Sequence, residues 1–418
     1  MKQKLSAGFF ASVLTAAIAA SAASTAFAGE VRVDGFPPFD THFDKQVPIF
    51  NESMPDISVT YQMNDHGDHH KKLTTNLATQ SGAGDVVIVD VSFIGAFINA
   101  GGFVNLSDAQ YGAEEFKDGF VPYAWNQGKG ADGNQYGMPV DIGPGVMYYR
   151  RDVLDSIGGD MDAIISDWDS YLEYGRKLKE KGVYLIADAG DVARIIVRTT
   201  LQDGEGLFFD AEGNSLVTSE RFVNAFETAK QIRDEGLDGQ IGAWTAEWYD
   251  GFKNGTVATQ LSGAWLLGHM QNWMAPDTAG KWGASNLPGG IYGSWGGSFL
   301  AIPKQSENPA EAWEFIKYLT TQQGPQIDSL RDLGAFPALV STYDDPAFDE
   351  PVEFLAGQKA RQLFAEVAKK VPAVTPMKGD LIAEDVVMNG ALAEVLNDGK
   401  DVNQALQDAE RLLKRRVK

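Results

Sequence analysis

The stretch DVVIVD, residues 85–90, decides the fold. Four branched aliphatic residues between two aspartates leave no polar face, so the strand is covered on both sides, as in a parallel sheet packed between helices. Its neighbours agree. EVRV (30–33) and ISVTYQM (57–63) alternate with period two, the pattern of half-buried strands. Phe43, Val47 and Phe50 lie at helical spacing before the second strand, and Leu73 and Leu77 before the third. The start therefore reads β-α-β-α-β, and right-handed crossovers of that kind build an open α/β sheet.

The alternation continues. GVMYYR (145–150) and VYLIAD (183–188) read as strands, with SDWDSYLEYGRKLKEKG between them as a helix capped by Ser166. LFFDAEGNSL carries hairpin turn chemistry. Ser219 is expected to cap a helix that buries Phe222, Ala225, Phe226 and Ala229. VATQLSG (257–263) is a strand followed by a helix holding Trp265. Asn308 and Pro309 open another helix. The last helix starts with Asp401 and Gln404 in capping-box spacing and ends in KRRVK, cations that suit its negative end. No linker divides the chain, so if it forms two lobes it must cross between them more than once.

Residues 1–28 are read separately. Lys2 and Lys4, an Ala-rich apolar run and Ala26-Phe27-Ala28 make up a secretory signal. A membrane anchor is the alternative, but the run is short and built from small residues, whereas a span needs about 20 strongly apolar ones. Cleavage after Ala28 would leave 390 residues, enough for two or three domains. The chain has no cysteine: it needs no disulfide, and none stands at the junction to carry a lipid. The expected location is the periplasm, with free secretion as the alternative. The formal charge of −22 becomes −24 without the signal, which repels phosphate backbones and anionic membranes. Nucleic acid is therefore not expected as a partner.

Catalytic signatures are missing. There is no G-x-S-x-G elbow, H-E-x-x-H, phosphate-binding loop or G-x-G-x-x-G after a strand. A glycosidase-like acid pair stays open only because carboxylates are abundant. NDHGDHHKK (64–72) is the one cluster with metal-ligand character, His66 and His70 standing four apart. The alternative is a polar loop with Asp65 as helix cap and with His69 and His70 solvated. No cofactor and no metal is expected.

Aromatics beside Gly, Asp and Ser recur where strands end: DGFPPF with Phe36, DVS with Asp90 and Ser92, DIGPG with Asp141, ADAGD with Asp188, AWTAEW with Trp244 and Thr245, SGAW with Trp265, and SWGGS with Trp295, Gly297 and Ser298. Sugars present polar rims and apolar C–H faces; aspartates accept from neighbouring hydroxyls and an indole covers the flat face. Open α/β sheets bind ligands at strand carboxyl ends. Trp168, Trp282 and Trp313 are read as core residues. Arg194 would either meet an anionic group or pair with nearby acids, the second being favoured.

Five segments occur in the order found in family 1 extracellular solute-binding proteins: GDVVIVDVSFIGAFINAGGFVNL, YGMPVDIGPGVMYYRRDVL, FFDAEGNSLVTSERFVNAFETAKQIRDEGL, NGTVATQLSGAWLLGHM and SFLAIPKQSENPAEAWEFIKYLT. The chain resembles that family, the sugar receptors of ABC importers, over essentially all of 29–418. The resemblance implies a two-lobed α/β periplasmic-binding-protein fold of type II character, with open, mostly parallel sheets flanked by helices. Three crossovers would form the hinge, near Asp141–Gly143, near Phe299–Ile302 and in Arg331–Leu339. It places 29–141 and 302–334 in one lobe and 142–301 and 335–418 in the other. It implies a monomer that hands its ligand to permease subunits in the inner membrane. Trp265 matches a sugar-stacking tryptophan, and Asp34–Pro37, Asp90–Ser92 and Asp141–Gly143 match loops that face the cleft.

Two departures count against a long linear oligosaccharide: Val89 replaces an aromatic, and TPMKGDLIAEDVV lacks a tryptophan near Asp380. The expected ligand is a mono- or disaccharide or a small glycoside. Asp65, Asp90 and Asp141 would accept its hydroxyls, Trp244, Trp265 and Trp295 would stack or wall it, and Gly297 and Ser298 would offer N–H and hydroxyl groups. His66 belongs to the same rim. A cationic amine caged by indoles and aspartates is the second reading.

Overall fold

The computed structural model describes residues 29–201 and 205–417; the signal expected in 1–28 lies outside them. Among the described residues, eight strands form one sheet: β1 (Gly29–Gly35), β2 (Ile57–Met63), β3 (Val86–Asp90), β4 (Gly137–Arg150), β5 (Tyr184–Ile186), β6 (Val257–Gly263), β7 (Trp282–Ser285) and β8 (Ser294–Ala301). Their order is β2-β1-β3-β8-β4-β6-β5, with β7 also paired to β4. Pairing is parallel at both ends, β1 with β2 and β3, and β5 with β6. It is antiparallel in the middle, where β8 and β4 run through. Helices cover both faces. Val86, Val87, Ile88 and Val89 are all fully buried, as an uninterrupted apolar strand requires.

In the middle of the sheet one strand changes its partners. β4 pairs with β8 over Gly137–Pro144 and then with β6 and β7 over Gly145–Arg150. The expected strand at 145–150 is thus only the second half of a fourteen-residue strand. DIGPG, read as a strand end, lies inside it, and Pro139 and Pro144 coincide with register shifts, where proline's missing N–H is tolerated. At Ile142 three segments meet: Gly297 of β8 pairs with it on one side, and Phe336 bridges it on the other, with Ile142 N–H donating to the Phe336 carbonyl at 2.8 Å.

Local chemistry corrects some expected caps. Asp167, not Ser166, caps the helix Trp168–Lys179, accepting from Ser170 N–H at 2.7 Å. Ser219 holds the cap position of Glu220–Asp234, but its hydroxyl is unpartnered. Asn308 holds the cap position of Pro309–Thr321 without a side-chain cap bond, its amide donating instead to the Glu30 carbonyl at 3.0 Å. Asp401 does accept from Gln404 N–H at 2.9 Å. LFFDAEGNSL is a turn held by Asp210, which accepts from Glu212 and Asn214, closed by a Phe209–Ser215 bridge. Trp282 and Trp313 are core residues, whereas Trp168 is half-buried against Tyr171.

Candidate functional site

Sheet register builds the floor of the site. Asp90 of β3, Ser298 of β8 and Asp141 of β4 stand directly opposite one another across three adjacent strands. Three polar residues in one row, each on a strand that is otherwise apolar at this depth, require a reason other than packing. Above them opens a cavity of about 600 Å³, within the range of small-molecule sites.

One side of the cavity comes from the β1 and β3 ends: Phe36, His66, Asp90 and Ser92. Asp90 caps the helix Val91–Asn99, taking Ser92 N–H at 2.8 Å, and faces His66 Nε2 at 3.5 Å. These contacts hold its carboxyl below the ordinary range against the cost of burial. His69 and His70, expected to be solvated, are buried. His69 Nε2–H donates to the Ile88 carbonyl at 2.7 Å, while His70 donates through Nδ1 to His66 O and accepts Asp90 N–H on Nε2 at 3.0 Å. His70 also stacks on Phe93, ring centres 4.2 Å apart. Burial lowers both, His70 to about 4, so they are neutral structural groups. The cluster holds β3 to the helix His66–Thr79, and no group of metal-ligating side chains stands together among the described residues.

The opposite side is aromatic. Trp265, Trp295 and Trp244 line the cavity together with His269. The Trp265 indole N–H donates to the Trp295 carbonyl at 2.7 Å, and Trp244 lies nearly parallel to Trp265, 6.0 Å between centres at 14°. The glycines around Trp295 are part of this fit. A Cβ on Gly296, whose φ is +89°, would stand 2.5 Å from the Trp265 indole nitrogen, and one on Gly143 would stand 1.9 Å from the Trp295 carbonyl oxygen. The run that looks loose in sequence is a backbone pressed against an indole and a neighbouring strand. Gly297 has φ +123° and, with Ser298, lines the cavity.

The third side was not legible as a site. Arg198, Pro376, Asp380 and Glu384 all reach the cavity, and Gln127 joins them from near the first side. Arg198 lies 5.6 Å over the Trp295 ring, donates to Arg194 O at 2.6 Å, and has its nearest carboxylate, Glu384, at 3.9 Å. Arg194 instead bonds Glu384, Asn389 and the Met388 carbonyl, the pairing expected of it. The signal for Arg198 was its place one helical turn beyond Arg194; for Asp380 and Glu384 it was their four-residue spacing. Of the two π-turns among the described residues, Glu384–Ala391 contributes Glu384 to the cavity and Met270–Met274 follows directly on the lining residue His269; such turns often occur at functional sites.

Three expected residues lie outside the cavity. Asp65 is exposed at a helix N-cap. Asp188 accepts from Gly190 N–H and from Arg233 at 3.1 Å, within an ion cluster that includes Asp238. The Thr245 hydroxyl donates to Gly242 O and accepts from Trp248 N–H, capping the helix Ala246–Asn254. Each motif resembled a binding loop because caps use the same residue types.

Two carboxylates in the cavity are incompletely bonded. Asp141 Oδ1 and Asp380 Oδ1 are buried with no hydrogen-bond partner, although Asp380 Oδ2 accepts Met377 N–H at 2.7 Å. Burial pushes Asp141 up to about 6, helped by the Asp90 charge and opposed by Ser298, and Asp380 up to about 7, helped by Glu384. A buried acceptor without a donor costs about 1–3 kcal/mol, so the site is built to be completed from outside by something that donates.

Comparison with known proteins agrees with this geometry. A lactose-binding protein of Rhizobium radiobacter is 28% identical over 90% of this chain and 89% of its own. An arabinooligosaccharide-binding protein of Halalkalibacterium halodurans is 26% identical over 79% and 76%. A crystal structure of a family 1 extracellular solute-binding protein superposes with a TM-score of 0.81 at 26% identity, covering 92% of this chain and 99% of that one. The fold is therefore the two-lobed periplasmic-binding-protein fold. With residues 45–356 matching the family model, the chain belongs to the bacterial extracellular solute-binding proteins.

Proposed function

We propose that this protein captures a neutral carbohydrate in the cavity and delivers it to an ABC importer, without catalysing a reaction. The observation that carries the reading is the pairing of orphaned carboxylate oxygens, on Asp141 and Asp380, with the indoles of Trp265 and Trp295 in one cavity. Sugar hydroxyls donate to the first and C–H faces cover the second. The Arg198 guanidinium has N–H groups left to donate to a sugar oxygen. Its charge inside the cavity disfavours the cationic-amine reading, and the surrounding Asp90, Asp141, Asp380 and Glu384 disfavour an anion.

The moving bodies are 29–141 with 302–334 and 142–301 with 335–418, hinged where Ile142, Gly297 and Phe336 meet. A ligand touching Asp90 on one side and Trp265 on the other binds the closed arrangement better and shifts the population toward it. The names of the two curated relatives, binding proteins for lactose and for arabinooligosaccharide, support this reading. The site of action is the periplasm, reached through the signal in 1–28, with the monomer presented to permease subunits. No helix of the described residues is long and apolar enough to cross a membrane, which is compatible with that role. A thermal-shift panel of mono- to pentasaccharides, polyamines and quaternary amines on residues 29–418 tests it, because a ligand of the native state raises Tm. Stabilisation by an amine and by no sugar overturns the proposal.

A further inference from the structure

Two of the large apolar side chains exposed among the described residues are tryptophans, Trp244 and Trp273, each about half exposed, and both touch the same half-buried histidine, His269. Neither indole hangs free. Trp244 has φ +66°, a left-handed conformation that a bulky residue rarely takes, and it is packed at 5.3 Å on Trp248 and at 6.0 Å, nearly parallel, beside Trp265. Trp273 sits in the π-turn Met270–Met274, which re-aims its side chain; its N–H donates to His269 Nδ1 at 3.1 Å and its ring edges onto Tyr249 at 5.4 Å. His269 is held neutral by burial, at about 4, so the wall is uncharged. The four rings run from Trp265 in the cavity, past Trp244 and His269 at its lip, to Trp273 beyond it.

We propose that this aromatic strip is an outer subsite for a carbohydrate chain: the ligand is an oligosaccharide whose inner units fill the cavity and whose next unit lies on Trp244 and Trp273. The inference rests on the carbohydrate reading above and proposes a longer ligand than the mono- or disaccharide expected from sequence, where the platforms looked too few. The strip is continuous with the cavity through Trp265. Its indoles are already packed against other rings before anything binds, and such preorganisation lowers the ordering cost of stacking. Glu247 and Asp250, on the helix that carries Tyr249, are exposed, as is Asn272, which precedes Trp273 in the chain.

The test is calorimetry with arabino-, galacto- and gluco-oligosaccharides of two to five units, on the wild type, Trp273→Ala and Trp273→Phe. The expected result is a Kd that falls at least fivefold from two units to three or four. Trp273→Ala removes that gain and leaves the disaccharide within twofold of wild type, while Trp273→Phe restores part of it. A disaccharide that binds with affinity independent of chain length leaves the carbohydrate reading standing and overturns the subsite. So does an equal loss for short and long ligands in Trp273→Ala, or full oligosaccharide affinity in that variant with defective uptake, which would make the strip a permease contact. No binding by any of the three series overturns both readings. Melting temperatures of both variants within a degree or two of wild type establish that the fold is intact.

Discussion

Asp141 makes a stability prediction with a defined sign. The residue is 7% exposed, one carboxyl oxygen has no partner, and burial raises the carboxyl from 3.8 to about 6. A raised acid is favoured in its protonated form when folded. Its ionisation therefore costs nothing below the unfolded value near 4, and the cost grows through the interval from 4 to 6 and is complete above it. At about 1.4 kcal/mol per pH unit, the separation between 3.8 and about 6 corresponds to about 3 kcal/mol. Asp141→Asn is nearly isosteric and does not titrate, so it removes this term.

In the empty protein at pH 8, Asp141→Asn is expected to be more stable than wild type by up to about 3 kcal/mol. Roughly half of that advantage remains at pH 5 and little at pH 4. Urea unfolding of both proteins at those three values, without sugar, measures the difference directly. The same variant binds sugar more weakly, because an amide offers one acceptor oxygen where the carboxylate offers two. A variant that is less stable than wild type at pH 8, or whose advantage does not shrink toward pH 4, refutes the reasoning. It would mean that the carboxylate is already satisfied, and that the orphaned oxygen is not what the site holds ready for its ligand.

Four further outcomes follow from the geometry. Trp265→Ala should cost about 1–2 kcal/mol of sugar binding, roughly a five- to thirtyfold rise in Kd by calorimetry; unchanged affinity would remove the indole from the site. Gly296→Ala puts a Cβ 2.5 Å from that indole at φ +89°, so it should lose about 1–3 kcal/mol of stability and weaken sugar binding. Gly324→Ala, where nothing lies within 4 Å, should leave both unchanged in paired melting and binding assays. Chelation with EDTA should not move Tm, since His69 and His70 already have protein partners; a drop would revive the metal reading.

The sheet was legible because its signals are local. DVVIVD and ISVTYQM carry their burial pattern in their own side chains, and the structure begins and ends those strands within a residue of the expected positions. The same logic fails for β4, because a strand that passes between two halves of a sheet is apolar where it is covered and proline-containing where it bends. Asp65, Asp188 and Thr245 fail for a related reason: an acid or hydroxyl at the start of a helix serves that helix or an ion cluster as readily as it meets a ligand. Sequence separates these uses only when the partner is nearby in the chain, and Arg233 lies 45 residues from Asp188.

The missed wall follows from topology. Arg198, Asp380 and Glu384 come from two helical segments nearly 200 residues apart, and neither ends a strand. What brings them together is the contact of Arg194 with Glu384, Met388 and Asn389, which lays the second π-turn against the first helix. Arg194, weighed in sequence as a possible ligand group, is thereby a clasp between the segment that carries Arg198 and the one that carries Glu384. Breaking it with Arg194→Met should leave the β3–β8–β4 floor in place and disorder the third wall. Sugar affinity should then fall although no cavity-lining residue has been changed, and Asp141→Asn in that background should still show its pH-dependent gain.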